Sequence, residues 1–285
     1  NKYSTMETWF FITKNGNICS KKDKIYLKKI MDSYNHLDDP SIVNFRSTII
    51  KKKKFLYKIY EEWYTIIRNN LSSNDQPVLE IGSGPGFLKQ FCKNKKIITS
   101  EIMYNNKVDL IFDAAKLFPF KNNSLSAIVM TDVLHHLPNV KTFFEESIRV
   151  LIDNGKIIMI EPWCTFWSKF IYSNFHHETF DTEVKEWEFE SRGPLSDANG
   201  ALPWIIFKRD YLIFSKLYPQ LELKTVKLLM PISYLLSGGF SYPSLIPHFF
   251  YKLIRKFENF SNVVNKKMAM FAYIEIINHK INRYE

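Results

Sequence analysis

Three glycines at alternate positions, Gly82, Gly84 and Gly86, are the residues of this chain best suited to holding a cofactor. They follow a short apolar run, 78–81, which includes the carboxylate of Glu80 and is typical of a buried β-strand. Glycine permits the backbone angles of a tight turn and lets a ligand approach the main chain without meeting a Cβ atom. A strand, such a loop and the start of a helix form the unit that holds nucleotide-like cofactors in α/β sheets. The stretch therefore predicts a cofactor site, with a glycine turn that binds no ligand as the alternative.

The spacing of the glycines restricts the kind of cofactor. Loops that bind a dinucleotide pyrophosphate have the spacing G-x-G-x-x-G and present backbone N–H groups at a helix N-terminus. Here Phe87 stands where the last glycine would be, and Pro85 removes one N–H group from the loop. The loop therefore favours a ligand with no phosphate and argues against an NAD-dependent oxidoreductase.

The stretch 78–88 resembles motif I of the class I S-adenosylmethionine-dependent methyltransferases, in particular the type 11 group. The resemblance covers about residues 77–161 and implies methyl transfer (EC 2.1.1) with S-adenosyl-L-methionine as the cofactor. It also implies that motif I surrounds the cofactor with the following residues: Glu80, Gly82, Ser83, Gly84, Gly86 and Phe87.

Further cofactor contacts follow from the later apolar runs. Glu101 ends the run 97–101, roughly 20 residues beyond the loop, where a carboxylate can accept hydrogen bonds from a ribose diol. An ordinary surface glutamate is the alternative. The resemblance implies that Asp113 and Ala114 meet the adenine. It also implies that the segment after the fourth strand, beginning at Thr131, lines the methionine end of the cofactor, with His136 beside it.

The candidate catalytic bases are histidines. His176 and His177 precede Glu178, and a carboxylate next to an imidazole can orient it for proton transfer. Adjacent side chains point in different directions, so at most one of the pair needs to face an acceptor. His135, which follows the fourth strand, is the third candidate. A metal role for His176 and His177 would need ligands that the sequence does not locate, and no metal site is predicted.

The elements that must position these residues form an α/β pattern. Apolar runs near 78–81, 97–101, 110–112, 125–130 and 156–161 alternate with helical patterns, and further strands are expected near 221–226 and 270–277. This alternation predicts a doubly wound, mostly parallel, seven-stranded sheet. Ligands bind outside the carboxyl ends of such strands, where these polar residues stand: Glu80, Glu101, Asp113, Thr131 and Glu161. A turn is expected at 153–155.

Four regions are expected along the chain. Residues 1–73 form a helical N-terminal extension or cap, which contains an amphipathic helix over 54–69, and residues 74–161 form the cofactor-binding core. Residues 162–220 form a substrate cap insertion. Residues 221–285 supply the last core strands and a second insertion.

The composition restricts which partners the protein could bind and in which cellular compartment it is expected. The net charge of +10 arises mostly from scattered lysines, which indicates either a general lysine bias or an anionic partner. The three cysteines are far apart, which argues against a zinc or disulfide framework and fits a reducing cytoplasm. No stretch reads as a secretion signal or a membrane span. The basic amphipathic stretch 249–257 makes peripheral contact with the inner face of a membrane the alternative.

The acceptor is the least determined part of the prediction. The run 193–204 carries Asp197, Asn199 and Trp204, which suit sugar recognition, and a well-tied surface loop is the alternative. Together with His-His-Glu, the run resembles a group of bacterial methyltransferases associated with surface-polysaccharide genes. We therefore expect O-methylation of a small molecule or of a sugar or glycan hydroxyl, with a histidine base. A lipid-linked acceptor or a non-catalytic scaffold of the same fold are the alternatives. The lack of an N-P-P-Y-like tetrad argues against nucleic acid, and the oligomeric state stays open.

Overall fold

The computed structural model describes residues 38–84, 87–176, 178–260 and 266–280. Seven strands of these residues form one sheet. They are β1 (Val78–Ile81), β2 (Ile97–Glu101), β3 (Leu110–Ile111), β4 (Leu125–Thr131), β5 (Leu151–Pro162), β6 (Leu221–Leu229) and β7 (Phe271–Asn278). Their order in the sheet is β3-β2-β1-β4-β5-β7-β6. Strands β1 to β5 run parallel, whereas β7 pairs antiparallel with both β5 and β6. The predicted doubly wound, mostly parallel sheet is confirmed.

The strand order creates the crevice for a ligand. The chain builds β1, β2 and β3 outward in one direction and then returns to place β4 on the other side of β1. The loops that leave β1 and β4 therefore diverge to opposite faces of the sheet. A crevice opens between them at the carboxyl ends of the strands.

The helices pack on both faces of the sheet. They are α1 (Ser41–Lys52), α2 (Lys54–Asn70), α3 (Leu88–Phe91), α4 (Val140–Val150), α5 (Phe166–Phe175), α6 (Leu202–Trp204), α7 (Tyr211–Leu217), α8 (Ser233–Ser237) and α9 (Tyr251–Phe260). Short 3₁₀ segments lie at Leu134–His136 and His248–Phe250, and a π-helical segment lies at Ile205–Arg209. No helix within the described ranges is long and apolar enough to cross a bilayer.

Two apolar cores hold the helices to the sheet. On one face, Phe143 and Phe144 of α4 pack with Phe214 of α7, which belongs to the first insertion. On the other face, Trp63 of α2 packs against Phe271 of β7, with the two ring centroids 4.8 Å apart. The amphipathic helix predicted over 54–69 is confirmed, because its apolar stripe is the face that meets the sheet.

One predicted strand begins earlier than expected. The turn expected at 153–155 lies inside β5, which extends from Leu151 to Pro162, and regular pairing with β4 begins at Lys156. Asn154 takes a φ of +57°, and the pairing with β4 shifts register between Leu125 and Ala127. The turn-forming residues thus make a bulge inside a strand that is paired on both sides of it.

The N-terminal extension and the first insertion meet at a polar contact. Asp38 accepts hydrogen bonds from the backbone N–H of Leu195, at 2.7 Å, and from the hydroxyl of Ser196. The division into four regions stays a prediction, and residues 1–37 of the expected cap lie outside the described residues.

Candidate active site

The glycine loop has the geometry that its sequence requires. Gly82 and Gly84 have φ angles of +65° and +51°, which side chains rarely adopt. A Cβ atom on Gly82 would lie 2.5 Å from Cγ2 of Val133, so the loop closes tightly on the segment after β4. A Cβ atom on Gly84 would meet nothing within 4 Å. Gly84 therefore borders open space that a ligand can enter.

Glu101 and Asn105 hold this loop in place. The carboxylate of Glu101 accepts one hydrogen bond from the N–H of Gly84 and one from the N–H of Ile102, each at 3.0 Å. The side-chain amide of Asn105 donates to the carbonyl of Gly84 at 2.8 Å. Burial raises the pKa of Glu101, although the two N–H groups oppose this. The carboxylate predicted to meet a ribose thus also fixes the loop beside it.

A first cavity, of about 390 Å³, lies at the crevice and is called the cofactor cavity below. Most of the predicted cofactor residues line it, namely Gly82, Ser83, Gly84, Glu101, Asp113, Ala114, Thr131 and His136. Asp113 is held by the N–H of Ala115 at 2.9 Å and by Lys116 at 3.2 Å. The loop 191–195 of the first insertion closes another side of the cavity.

Two predicted cofactor residues lie behind the loop and do not line the cavity. Glu80 is buried beneath the loop, where burial raises the pKa of its carboxyl to about 8. Phe87 is buried in the core on the α2 side of the sheet. Direct contact of these two side chains with the cofactor is not supported, because β1 and the short helix α3 turn them inward. Gly86 and His177 lie outside the described residues.

A second cavity, of about 440 Å³, adjoins the first and is called the apolar cavity below. Its walls are mostly aromatic and aliphatic and include Phe45, Trp167, Phe170, Ile171, Phe175, Tyr234, Leu235 and Met270. The two cavities share Ile42, Arg46, Asp132 and Phe240. Asp132, directly after β4, takes a φ of +62°, an uncommon conformation that often marks functional positions.

Glu178 lies among three histidines. Its carboxylate oxygens are 3.5 Å from Nε2 of His135, 3.6 Å from Nε2 of His136 and 3.7 Å from Nδ1 of His176. His176 lines the apolar cavity, and its Nδ1 accepts the N–H of Glu178 at 3.3 Å. His135 is fully buried and lines neither of these two cavities.

Glu161 fixes the ring of His135. One carboxylate oxygen contacts Nδ1 of His135 at 2.7 Å, and the other accepts the N–H groups of Val133 and Leu134 at 2.8 Å. Burial lowers the pKa of His135, but its hydrogen bond to Glu161 and the nearby carboxylate of Glu178 outweigh burial and raise it well above the ordinary value. These carboxylates therefore stabilise a positive charge at His135.

The pKa values of His136 and Asp132, which belong to the same cluster, shift in opposite directions. Burial and the neighbouring His135 lower the pKa of His136 to about 3, so this imidazole is neutral. Burial raises the pKa of Asp132 to about 6, with Glu178 acting in the same direction and His135 against it. The cluster thus places a neutral imidazole and several carboxylates where the two cavities meet.

The comparison with known families agrees with this geometry. Residues 79–159 match the family described as a methyltransferase domain. This match and the order of the strands give this part of the chain the fold of a class I methyltransferase domain. Its cofactor is S-adenosylmethionine. The residues around the cofactor cavity suit that molecule, because Gly84 leaves room beside the main chain and the acids Glu101 and Asp113 stand on the cavity wall.

Solved structures resemble the whole chain only distantly. A geranyl diphosphate C-methyltransferase from Streptomyces coelicolor A3(2) is 12% identical, with 83% of each chain covered and a TM-score of 0.48. The PH0226 protein from Pyrococcus horikoshii OT3 is 14% identical, with 79% of this chain and 92% of that chain covered and a TM-score of 0.47. No curated protein matches the chain. Likeness at this level says nothing about the acceptor of the methyltransferase domain.

Two residues at the junction of the cavities were missed as site residues. Asp132 stands inside the segment that resembles motif IV, but only its left-handed backbone turns it toward both cavities. Arg46 comes from α1 of the N-terminal extension, and no motif surrounds it. Sequence spacing could not bring α1 to the junction, because this requires the packing of α1 and α2 against the sheet.

The side chains suggested for sugar binding lie outside both cavities. Asp197 pairs with Arg192 at 2.7 Å, and Asn199 accepts the N–H groups of Asp181 and Ala201. Trp204 packs against the core on the α4 side of the sheet. These residues stabilise the loop of the first insertion, which agrees with the alternative to sugar recognition given by the sequence, a surface loop held by its own contacts.

Proposed function

We propose that this protein is an S-adenosylmethionine-dependent O-methyltransferase whose acceptor presents a hydroxyl group on an apolar body. The observation that carries the proposal is the junction of the cofactor cavity with the apolar cavity at Asp132 and Arg46. Methyl transfer requires the donor and the acceptor to meet in line at one point, excluded from water. The junction of the two cavities supplies such a point.

The cofactor side is held by groups with separate tasks. We assign the ribose to Glu101, the adenine to Asp113 and Ala114, and the close approach of the main chain to Gly84. Bound S-adenosylmethionine supplies the reactive methyl group, so the protein needs no covalent nucleophile of its own. The task left to the protein is to orient the acceptor and remove its proton.

The acceptor side favours an apolar molecule over a free sugar or glycan. The walls of the apolar cavity are largely aromatic, and its acidic groups, Asp132 and Glu178, stand toward the histidine cluster. Asp132 is the carboxylate that borders both cavities, so we assign it as the group that accepts the hydroxyl proton. His176 stays the candidate to orient the hydroxyl, although its Nδ1 already accepts a hydrogen bond.

Two measurements test this proposal together. Calorimetry is expected to show binding of S-adenosylhomocysteine and no binding of NAD, and absence of the first would favour a non-catalytic scaffold. In a radiolabelled methyl-transfer assay, hydroxylated aromatic and isoprenoid acceptors are expected to be methylated and free sugars are not. Asp132→Asn is expected to retain S-adenosylhomocysteine binding and to lose transfer by at least roughly 100-fold. A methyl-transfer rate equal to that of the unaltered protein would show that Asp132 does not accept the hydroxyl proton.

A second candidate, a lipid-linked acceptor at a membrane surface, is favoured by α9. This helix turns Leu253, Phe257 and Phe260 outward, with exposed fractions of 64%, 63% and 93%, and Lys252 and Lys256 are exposed on the same helix. Apolar residues beside lysines suit the interface of an anionic bilayer. Leu245, which lines the apolar cavity, is also exposed and precedes this helix by a few residues.

Vesicle flotation tests the second candidate. The protein is expected to float with phosphatidylcholine vesicles that contain phosphatidylglycerol, less so at high salt, and not with phosphatidylcholine alone. The double variant Leu253→Ser/Phe257→Ser is expected to lose flotation. Leu212→Ser is the control, because Leu212 is an exposed apolar residue on another helix, α7. No flotation of the unaltered protein would leave the acceptor as a soluble apolar molecule.

A further inference from the structure

The histidine cluster has an arrangement that its hydrogen bonds do not explain. Nε2 of His135 is fully buried and has no hydrogen-bond partner within the described part of the chain. It points at Glu178 Oε2, 3.5 Å away, and at Asp132 Oδ1, 3.9 Å away. Nε2 of His136 lies 3.6 Å from the other oxygen of Glu178. These separations exceed those of ordinary N–H···O hydrogen bonds, which are about 2.7–3.2 Å.

The same separations match the edges of a metal coordination shell. Ligand atoms bound to zinc at about 2.0–2.1 Å in tetrahedral geometry lie roughly 3.4 Å from one another. The ligand atoms of His135, His136 and Glu178 all lie within 4.8 Å of one another. Two imidazoles and a carboxylate are a donor set that binds divalent transition metals rather than Mg²⁺ or Ca²⁺.

The surroundings of His135 resemble those of a metal-bound histidine. Its Nδ1 is held by Glu161 at 2.7 Å, and Glu161 is itself held by the backbone N–H groups of Val133 and Leu134. Histidines that bind metals commonly donate the second ring nitrogen to such a carboxylate, which fixes the ring and aims Nε2 at the ion. His135 is thus oriented in advance, and its aimed nitrogen faces two further carboxylates.

We propose that His135, His136 and Glu178 bind a divalent transition-metal ion at the wall between the cofactor cavity and the apolar cavity. This inference rests on the proposed function for its purpose, because the ion would hold the acceptor oxygen. His136 lines one cavity and Glu178 the other, so a position left open on the ion would face their junction. A metal-bound hydroxyl loses its proton more readily, and Asp132 stands beside this point to accept it.

The competing account is a site without metal, in which a proton on His135 neutralises the carboxylates around it. Both accounts place positive charge at the centre of the cluster, where it offsets the carboxylates. They differ in whether the protein retains a metal and in whether the retention depends on Glu178 and His136.

The test uses the full chain, stripped with chelator and titrated with Zn²⁺ as the probe. The unaltered protein is expected to retain about one zinc per chain through gel filtration, and Co²⁺ is expected to give the intense visible bands of a four-coordinate site. Glu178→Gln and His136→Asn are expected to lose both signals. Glu161→Gln, which keeps all three ligands, is expected to weaken zinc binding by about 10–100-fold.

The controls separate metal binding from folding and from the cofactor. His279 forms an exposed pair with Glu222 at 2.8 Å, so His279→Asn removes a histidine outside the site and is expected to leave zinc retention unchanged. Circular dichroism identifies any variant that fails to fold, and the remaining ligand variant then decides. Absence of zinc and cobalt binding by the unaltered protein, or unchanged binding by Glu178→Gln and His136→Asn, would overturn the metal site. Calorimetry with S-adenosylhomocysteine tests the proposed function separately, since the cofactor cavity does not require the ion.

Discussion

At the scale of single residues, two buried carboxylates under the glycine loop have different tasks. Glu101 uses both oxygens on backbone N–H groups and still borders the cofactor cavity. Glu80 has a buried oxygen, Oε2, with no hydrogen-bond partner among the described residues. A carboxyl group in such a place is stable in its neutral form and costly in its charged form. Glu101 is therefore suited to bind the cofactor, whereas Glu80 is expected to make the stability of the protein depend on pH.

Replacing Glu101 with glutamine is expected to weaken S-adenosylhomocysteine binding by about 10–100-fold. The amide keeps the size of the side chain but removes charge from a hydrogen bond to ligand or loop, which is worth roughly 1.5–3 kcal/mol. Calorimetry measures the affinity. Glu222→Gln, a change on the exposed face of β6, serves as the control and is expected to bind normally. An unchanged affinity of Glu101→Gln for S-adenosylhomocysteine would show that Glu101 does not bind the ribose.

Replacing Glu80 with glutamine is expected to flatten the pH dependence of stability. Because the pKa of Glu80 is raised from 4.5 to about 8 in the folded protein, folding favours its protonated form. The free energy of unfolding should therefore be highest below pH 4.5 for this group, fall as the pH rises to about 8, and then level off. The shift from 4.5 to about 8 corresponds to a loss on the order of 5 kcal/mol. Urea unfolding of the cofactor-free protein at pH 5 and pH 8.5 would show it, and an equal slope in Glu80→Gln would contradict it.

At the scale of elements, α9 has charged residues on its buried face and apolar residues on its exposed face. Two of its charged residues, Arg255 and Glu258, face inward, where Arg255 donates to Glu62 of α2 at 2.7 Å and pairs with Glu258. Glu258 also accepts the N–H groups of Ile232 and Ser233 at the start of α8. Three apolar side chains of α9, those of Leu253, Phe257 and Phe260, are exposed. A buried polar network thus fixes the helix, and the exposed apolar face is free for another surface.

Replacing Arg255 with methionine is expected to destabilise the protein by about 3–5 kcal/mol. The change removes one partner of a buried ion pair and leaves Glu258 charged in the interior. Lys256→Met, at the next position on the exposed side of α9, is expected to change stability by less than about 0.5 kcal/mol. Urea unfolding would compare the two. Similar stabilities would mean that the inner network does not hold α9.

At the scale of the whole molecule, segments from distant parts of the chain enclose the cofactor cavity. The glycine loop and the ends of β2 to β4 form its base, α1 contributes Ile42 and Arg46, and the loop 191–195 closes the side. Asp38 joins the last two of these segments, because it precedes α1 and binds Leu195 and Ser196. We therefore expect the Asp38 contact to hold these two segments together when the cavity is closed.

Replacing Asp38 with alanine is expected to speed the release of S-adenosylhomocysteine by about tenfold. Loss of hydrogen bonds to a charged group costs roughly 1.5–3 kcal/mol, and this energy holds the enclosing segments together rather than touching the ligand. Stopped-flow displacement would measure the rate, with Asp75→Ala in the exposed segment before β1 as the control. An unchanged release rate would mean that the cavity opens elsewhere.

Local patterns along the chain were enough to predict the sheet and the cofactor side of the site. Each strand of the core is an apolar run bounded by turn residues, and the carboxyl ends of parallel strands meet at one edge. Glu101, Asp113 and Thr131 could therefore be placed together without any knowledge of contacts. The inward direction of Glu80 and Phe87 could not be predicted, because it depends on the rotation of β1 and α3 against the core.

The acceptor side was decided only by tertiary structure. Arg46, Asp132 and Glu178 come from three regions of the chain, and only packing brings them to the same junction. The sequence alone determined a parallel sheet with a cofactor-binding edge, because hydrophobic periodicity and glycine spacing are local properties, and the resemblance of 78–88 to motif I implied an adenosyl cofactor. The tertiary structure decided that the neighbouring cavity is apolar and that Glu178 lies among three histidines, because these depend on how the insertions fold back over that edge.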